Sequence, residues 1–89
     1  MNELIRLPNI GIVLAKKLVD AGITSFVELV SIGSIGAMCR IRSAVDSEAC
    51  YNTLYALEGA IRGVRWDGIP REERTKLKDE FDRVACLNT

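Results

Sequence analysis

The chain has 89 residues, 48% of them apolar, which is enough for one small domain over residues 1–89. Its 12 basic and 12 acidic residues give zero net charge, so it lacks the basic surplus typical of strong, non-specific nucleic-acid binders. No run of about 18 apolar residues indicates a membrane span, and the start Met1-Asn2-Glu3 is unlike a signal peptide. We therefore expect a cytoplasmic protein that does not contact membranes.

Helical periodicity predicts an all-α fold, a small bundle of five or six helices. A helix over residues 2–7 is predicted to end at Pro8 and Asn9, because proline disfavours the α conformation in the preceding residue and asparagine tolerates left-handed angles. A second helix is predicted over residues 10–21, with Gly22 suited to end it. The short loop between the two helices predicts an N-terminal helix–hairpin–helix.

A third helix is predicted over residues 26–31 and a fourth over residues 35–42, with a break at residues 33–34 between them. Residues 29–36 also align with residues 4–11 in their apolar pattern and final glycine. This similarity suggests a second, pseudo-repeated hairpin. A chance match is the alternative, since motifs this short are often accidental.

The fifth and longest helix is predicted over residues 48–65, capped by Asp46 or Ser47, and a last helix opens at Pro70. One face of the fifth helix carries an i, i+4 row of two tyrosines and two glycines: Tyr51, Tyr55, Gly59 and Gly63. Each glycine costs roughly 1 kcal/mol relative to alanine in a helix, so we expect the row to let another element approach closely. The partner is either the first hairpin or the same helix of a second copy. We favour the hairpin, because a small domain needs internal contacts first.

The start of the second helix is the candidate nucleic-acid site. The first amides of a helix lack partners within it, and the helix dipole adds partial positive charge, so such a start can bind phosphate. Gly11 would let a phosphate come close, and we expect Gly11→Val to destabilise or disorder the hairpin. The alternative is a compact corner between packed helices, because Ile12 and Val13 are apolar where phosphate-binding hairpins often carry basic or hydroxyl groups. The candidate residues are Pro8, Asn9, Ile10, Gly11, Val13, Lys16 and Lys17.

Enzyme chemistry has little support in this sequence. Histidine is absent, and the three cysteines are widely spaced, which argues against a zinc site and favours reduced, mostly buried thiols at Cys39, Cys50 and Cys86. Ser34 does not lie in a Gly-x-Ser-x-Gly turn after a strand, and residues 33–36 lack the Gly-Lys-Ser/Thr ending of a phosphate-binding loop. We therefore expect no catalysis, no metal, no cofactor and no small-molecule substrate.

Two segments resemble the C-terminal domain of the TfoX (Sxy) family, bacterial regulators of competence for DNA uptake. Residues 7–11 read LPNIG, followed by Ala15 and Leu18, and residues 54–66 read LYALEGAIRGVRW, the more specific signal. The resemblance runs from about residue 3 to residue 78. It implies an all-α domain without enzyme activity and an association with transcriptional regulation. Full-length regulators of the family carry an additional N-terminal domain, so we expect a stand-alone version of the C-terminal domain.

Two functional hypotheses follow. The first is a non-enzymatic regulatory module that contacts DNA weakly, if at all, through residues 8–13 with Lys16 and Lys17 nearby. The alternative is a protein–protein interaction or homodimerisation domain that uses the fifth or the last helix and binds no nucleic acid. The hairpin favours the first hypothesis, and the neutral charge favours the second.

Overall fold

The computed structural model describes residues 3–87, with side chains placed for residues 3–84. Within this range the chain forms four α-helices and no strand, and the helices are α1 (Ile12–Asp20), α2 (Phe26–Ala44), α3 (Tyr51–Arg62) and α4 (Arg71–Leu87). Two 3₁₀ turns, Leu4–Arg6 and Trp66–Gly68, precede α1 and α4. The all-α prediction is confirmed, whereas the count of five or six helices is not. None of the described helices is both long enough and apolar enough to cross a membrane.

The predicted first helix is a single 3₁₀ turn in the structure (residue 2 lies outside the described part). Leu7 then takes an extended conformation with φ −77° and ψ 148°, which suits a residue that precedes proline. Asn9 adopts a left-handed φ of 69°, and Gly11 occupies the extended N-cap position of α1. A tight corner over residues 7–11 therefore leads into α1. The element before this corner is one short 3₁₀ turn, where the first helix of a hairpin was expected.

α2 is one helical element with a sharp kink at Gly33. The Ser25 hydroxyl caps its start by accepting a hydrogen bond from the Glu28 amide at 3.1 Å. Gly33 has φ 81° and ψ 165°, a conformation that residues with a Cβ rarely adopt. The predicted break is thus a kink between two helical halves and not a loop. The second hairpin over residues 29–36 is not confirmed, because the chain bends there at one residue without forming an open turn.

α3 begins later than predicted. Its N-cap is Cys50, so the prediction that Asp46 or Ser47 caps this helix is wrong. Arg42 gives the physical reason, since its guanidinium donates two hydrogen bonds to the carbonyl oxygen of Ala49, at 3.0 and 2.7 Å. That carbonyl would be the acceptor of an earlier helical turn. With the acceptor occupied, the segment before α3 remains a turn.

The hydrophobic core lies between α2 and α3 and is closed by α1, α4 and the first 3₁₀ turn. α2 and α3 make the most extensive contact between any two elements. Fully buried side chains come from all of these elements, and the largest include Leu4, Leu18, Leu29, Met38, Ile41, Leu54, Leu57 and Phe81. Burying one such side chain contributes roughly 1.5–3 kcal/mol. Leu4 in the first 3₁₀ turn and Leu18 in α1 therefore hold the two elements that flank the corner against the helical core.

Candidate functional site

The N-terminus of α1 leaves backbone amides without acceptors. Gly11 caps the helix without a side-chain hydrogen bond, and the first helical donor is the Ala15 amide, which bonds to the Gly11 carbonyl at 2.9 Å. The amides of the three preceding positions, Ile12, Val13 and Leu14, have no acceptor among the described residues. Ile12 and Val13 are 74% and 70% exposed, whereas Leu14 is partly buried against the core.

Gly11 has a different role from the one expected. Its φ of −93° and ψ of −173° are open to any residue, and a Cβ there would meet no atom within 4 Å. The fold therefore does not require glycine at this position, contrary to the expectation that Gly11→Val disorders the hairpin. The open space lies directly beside the unpartnered amides of α1.

Asn9 fixes the position of the corner. Its side-chain Nδ2 donates to the carbonyl oxygens of Val64 at 2.9 Å and Ala56 at 3.4 Å. Its Oδ1 accepts a hydrogen bond from the Trp66 amide at 3.0 Å. Both ends of the carboxamide are therefore engaged with α3 and with the turn that follows it. Asn9 positions the loop and does not offer its side chain to a ligand.

The tyrosine–glycine row of α3 serves several internal contacts. A Cβ on Gly59 would lie 2.5 Å from Asn9 Nδ2, so glycine is needed for the corner to pack against α3. Gly63 has no such neighbour, and its left-handed φ of 77° ends the helix instead. The Tyr51 hydroxyl donates to Asp82 Oδ1 at 2.7 Å and thereby links α3 to α4. Tyr55 is half-buried.

The two neighbouring lysines of α1 differ in their surroundings. Lys17 Nζ lies 2.8 Å from Asp46 Oδ2, and this hydrogen bond holds the pKa of Asp46 below its ordinary value. Lys16 is exposed and forms no ion pair among the described residues. A further exposed cation is Arg65, whose side chain is 79% accessible and lies 3.4 Å from an Asp67 carboxylate oxygen. Within the described part of the chain, Lys16 is therefore the lysine of this pair without a carboxylate partner, whereas Arg65 is highly exposed and lies beside Asp67.

Two open cavities flank the corner. One has a volume of about 450 Å³ and is lined by Gly11, Ile12, Val13, Leu14, Lys17, Asn52, Thr53 and Ala56. The other has a volume of about 440 Å³ and is lined by Pro8, Asn9, Asn52, Ala56, Arg65 and Trp66. They share Asn52 and Ala56, so they adjoin along α3. The sequence pattern did not place Asn52, Arg65 or Trp66 at this site. Gly59, a glycine inside a predicted helix, was the local signal that another element approaches α3 closely here.

A third open cavity, of about 750 Å³, lies where α2, α3 and α4 meet near the kink at Gly33. Four of its polar side chains form a connected set of hydrogen bonds. The buried Ser34 hydroxyl donates to Glu58 Oε1 at 2.6 Å, and Arg62 bonds to Glu58 at 2.7 Å and to Glu73 at 2.6 Å. These groups link the three helices, and the two carboxylates against one guanidinium leave a net negative charge among them.

The thiols differ from the expected buried set. Cys39 is half-buried, and burial raises its pKa. Cys50 is exposed at the N-cap of α3, where the nearby backbone amides of Thr53 and Asn52 lower its pKa. The prediction of mostly buried thiols is therefore wrong for Cys50, and the side chain of Cys86 lies outside the described part. The described residues contain no group of three or more potential metal ligands close enough to hold an ion.

A family model described as the TfoX C-terminal domain matches residues 1–81. The chain belongs to the TfoX C-terminal domain family. The match includes both the corner before α1 and the whole of α3, and the family indicates a regulatory type of domain. It confirms the resemblance that residues 7–11 and 54–66 carry.

Solved structures show the same fold for this TfoX C-terminal domain. An uncharacterized protein from Listeria monocytogenes, in a triclinic crystal form, is 44% identical with a TM-score of 0.84, over 92% of this chain and 92% of that one. A protein of unknown function from Listeria monocytogenes, in a tetragonal form, is 46% identical with a TM-score of 0.82, over 91% of this chain and 98% of that one. Among curated proteins, none is significantly similar.

Proposed function

We propose that this TfoX C-terminal domain is a non-enzymatic regulatory module that contacts nucleic-acid phosphates through the N-terminus of α1. The observation that supports the proposal is the group of unpartnered amides at Ile12, Val13 and Leu14, in a helix start whose first two residues are exposed. Amides at a helix start are donors for phosphate oxygens, and the helix dipole adds partial positive charge at the same place. Asn9 holds this donor group in one position, so it is formed before any ligand arrives.

The charges around the site limit the strength of this contact. Lys17 is paired with Asp46, and we assign phosphate contacts to Lys16, which has no ion pair among the described residues, and to Arg65, which is exposed beside Asp67. Each neutralised phosphate contributes about −0.9 to the slope of log affinity against log salt concentration, so two contacts give a slope of about −2. We therefore expect weak binding with a shallow salt dependence, measured by fluorescence anisotropy of labelled DNA at low ionic strength.

A pair of substitutions at Ile12 tests whether the amide is the binding group. Proline is tolerated at the first helical position, where the amide has no partner in the fold, and the preceding Gly11 is already extended. Ile12→Pro removes the amide hydrogen and the side chain, whereas the control Ile12→Ala removes only the side chain. One lost hydrogen bond to a charged group is worth about 1.5–3 kcal/mol. We expect Ile12→Pro to weaken DNA binding by about tenfold or more and Ile12→Ala to leave it unchanged.

The exposed side chains of Ile12 and Val13 favour a second candidate function, a protein–protein interaction or homodimerisation domain. Adjacent large apolar side chains with this exposure are typical of protein contacts. In this case Ile12→Ala reduces association as much as Ile12→Pro, because the side chain carries the contact. For the homodimer, light scattering should show an increase in mass with concentration that Val13→Asp abolishes; a constant monomer mass would exclude it.

A further inference from the structure

The cavity of about 440 Å³ beside the corner combines an aromatic ring, a guanidinium and a carboxamide. Trp66 is 36% exposed, and the side chain of the neighbouring Arg65 is 79% accessible. Asn52 is exposed in the first turn of α3, and its side chain makes no hydrogen bond among the described residues. The proposed phosphate-binding start of α1 lines the adjoining cavity, which shares Asn52 and Ala56 with this one.

Trp66 is held in place from two sides. Its amide donates to Asn9 Oδ1 at 3.0 Å, which ties the backbone of the tryptophan to the corner before α1. The Arg74 guanidinium lies over the indole ring, 5.5 Å from its centroid. A ring that is already positioned loses little conformational freedom when a ligand stacks on it. Asn9 therefore fixes the backbone of Trp66, and because Arg74 lies over one face of the ring, a ligand would stack on the opposite face.

We propose that this cavity takes one unpaired nucleobase of a single-stranded nucleic acid, stacked on Trp66. The inference rests on the proposed function, because the phosphates that flank the base would bind at the start of α1 and at Arg65. Single-strand sites combine aromatic platforms with positive charge that follows the backbone, and every base presents a face that can stack. Asn52 adds a free carboxamide that can donate to or accept from the edge of the base.

The charge balance of the domain supports a base over phosphate alone. With Lys17 paired to Asp46 and zero net charge overall, electrostatic attraction supplies only a small part of the affinity. Base stacking supplies affinity that does not depend on a basic surface. In a duplex the bases are paired and stacked on one another, so the cavity discriminates against double-stranded DNA.

Trp66 is the single tryptophan of the chain, so its intrinsic fluorescence reports directly on the cavity. The probes are a short oligothymidylate, an abasic strand of the same length and charge, and a duplex of the same length. We expect the oligothymidylate to quench the fluorescence and to bind about 5- to 150-fold more tightly than the abasic strand, the range given by one stacked base. Equal affinity for the oligothymidylate and the abasic strand, without quenching, overturns the proposal.

Substitutions of Trp66 provide the second test, with anisotropy of the labelled oligothymidylate as the measurement. Trp66→Phe retains an aromatic face and should retain most of the preference for the base-containing strand, whereas Trp66→Leu should lose it. Arg65→Gln should reduce the salt slope by about one, and the exposed Arg40, which lines neither cavity of the corner, serves as the control in Arg40→Gln. If Trp66→Leu fails to fold, the comparison of the two strands on the unmodified protein still decides the question.

The outcomes separate this inference from the proposed function. If both strands bind equally and Ile12→Pro abolishes this binding, the proposed function stands and the base site is overturned. If Ile12→Pro leaves the quenching by the oligothymidylate unchanged, the base site is supported and phosphate binding at α1 is contradicted. No binding of any strand at low salt overturns both.

Discussion

Substituting Gly59 by alanine should separate the amino-terminal corner from α3. The added Cβ would lie 2.5 Å from Asn9 Nδ2 and 2.7 Å from the Val64 carbonyl oxygen, distances that real Cβ atoms essentially never show. Because the Val64 oxygen belongs to the backbone, the clash cannot be relieved by a side-chain rotation. We expect the Asn9 side chain to be expelled and its hydrogen bonds to Val64, Ala56 and Trp66 to be lost.

The magnitude follows from two opposing terms. Each intramolecular hydrogen bond contributes about 1 kcal/mol net, so the three bonds of Asn9 amount to about 3 kcal/mol. Alanine is better than glycine in a helix by about 1 kcal/mol, which offsets part of the loss. The net destabilisation is therefore about 2 kcal/mol, or roughly 8–16 °C in Tm for a domain of this size.

Thermal denaturation followed by circular dichroism measures this effect, and amide exchange locates it. Gly68→Ala is the matched control, because a Cβ there meets no atom within 4 Å and its φ is not positive. We expect the control to melt like the unmodified domain and Gly59→Ala to lose protection at the Trp66 amide, whose acceptor is Asn9. A Gly59→Ala variant as stable as the control would refute the account of the corner. In an Asn9→Gly background, which keeps the left-handed backbone, the penalty at Gly59 should be smaller.

Three further predictions concern the helix starts and the ion pair. Gly11→Ser places a hydroxyl where it can accept from the free amides of α1; we expect stability to rise by a few tenths of a kcal/mol while DNA binding falls, and a rise in both would contradict the role of these amides. The Lys17 hydrogen bond lowers the pKa of Asp46, so its contribution is present above the unfolded pKa and is lost as the pH falls through the lower folded value. The stability difference between the unmodified domain and Asp46→Asn, measured by urea denaturation, should therefore become smaller as the pH is lowered from about 6 to about 2. A constant difference would argue against the ion pair of Lys17 and Asp46. Cys50, exposed and with a lowered pKa, should react with iodoacetamide faster than Cys39, as read by peptide mass spectrometry, and equal rates would contradict the assignment.

The sequence was sufficient for features that depend on neighbouring residues. The ring of Pro8 restricts the residue before it, the Ser25 hydroxyl reaches an amide three positions ahead, and a glycine at residue 33 permits a non-helical angle. Each of these signals acts over a few bonds, so the sequence indicates the position of the corner and of the interruption at residue 33, although not that α2 continues through it as a kink. The start of α3 was not, because it depends on Arg42, which approaches from another helix.

Adjacent residues with the same chemistry show most clearly what depended on packing. Lys16 and Lys17 are indistinguishable in the sequence, yet only Lys17 meets a carboxylate, that of Asp46, 29 positions away. Asn9 looked like a turn residue with a possible role in binding, and its side chain forms hydrogen bonds with Val64 and Trp66, 55 and 57 positions away. Such contacts arise because burial of the apolar core brings α1, α3 and the turn after α3 together. The hydrophobic effect is non-directional, so the sequence pattern does not show which polar side chains will meet across the packed elements. Local backbone preference thus specified where the chain bends, and the packed core specified which polar groups remain free to bind.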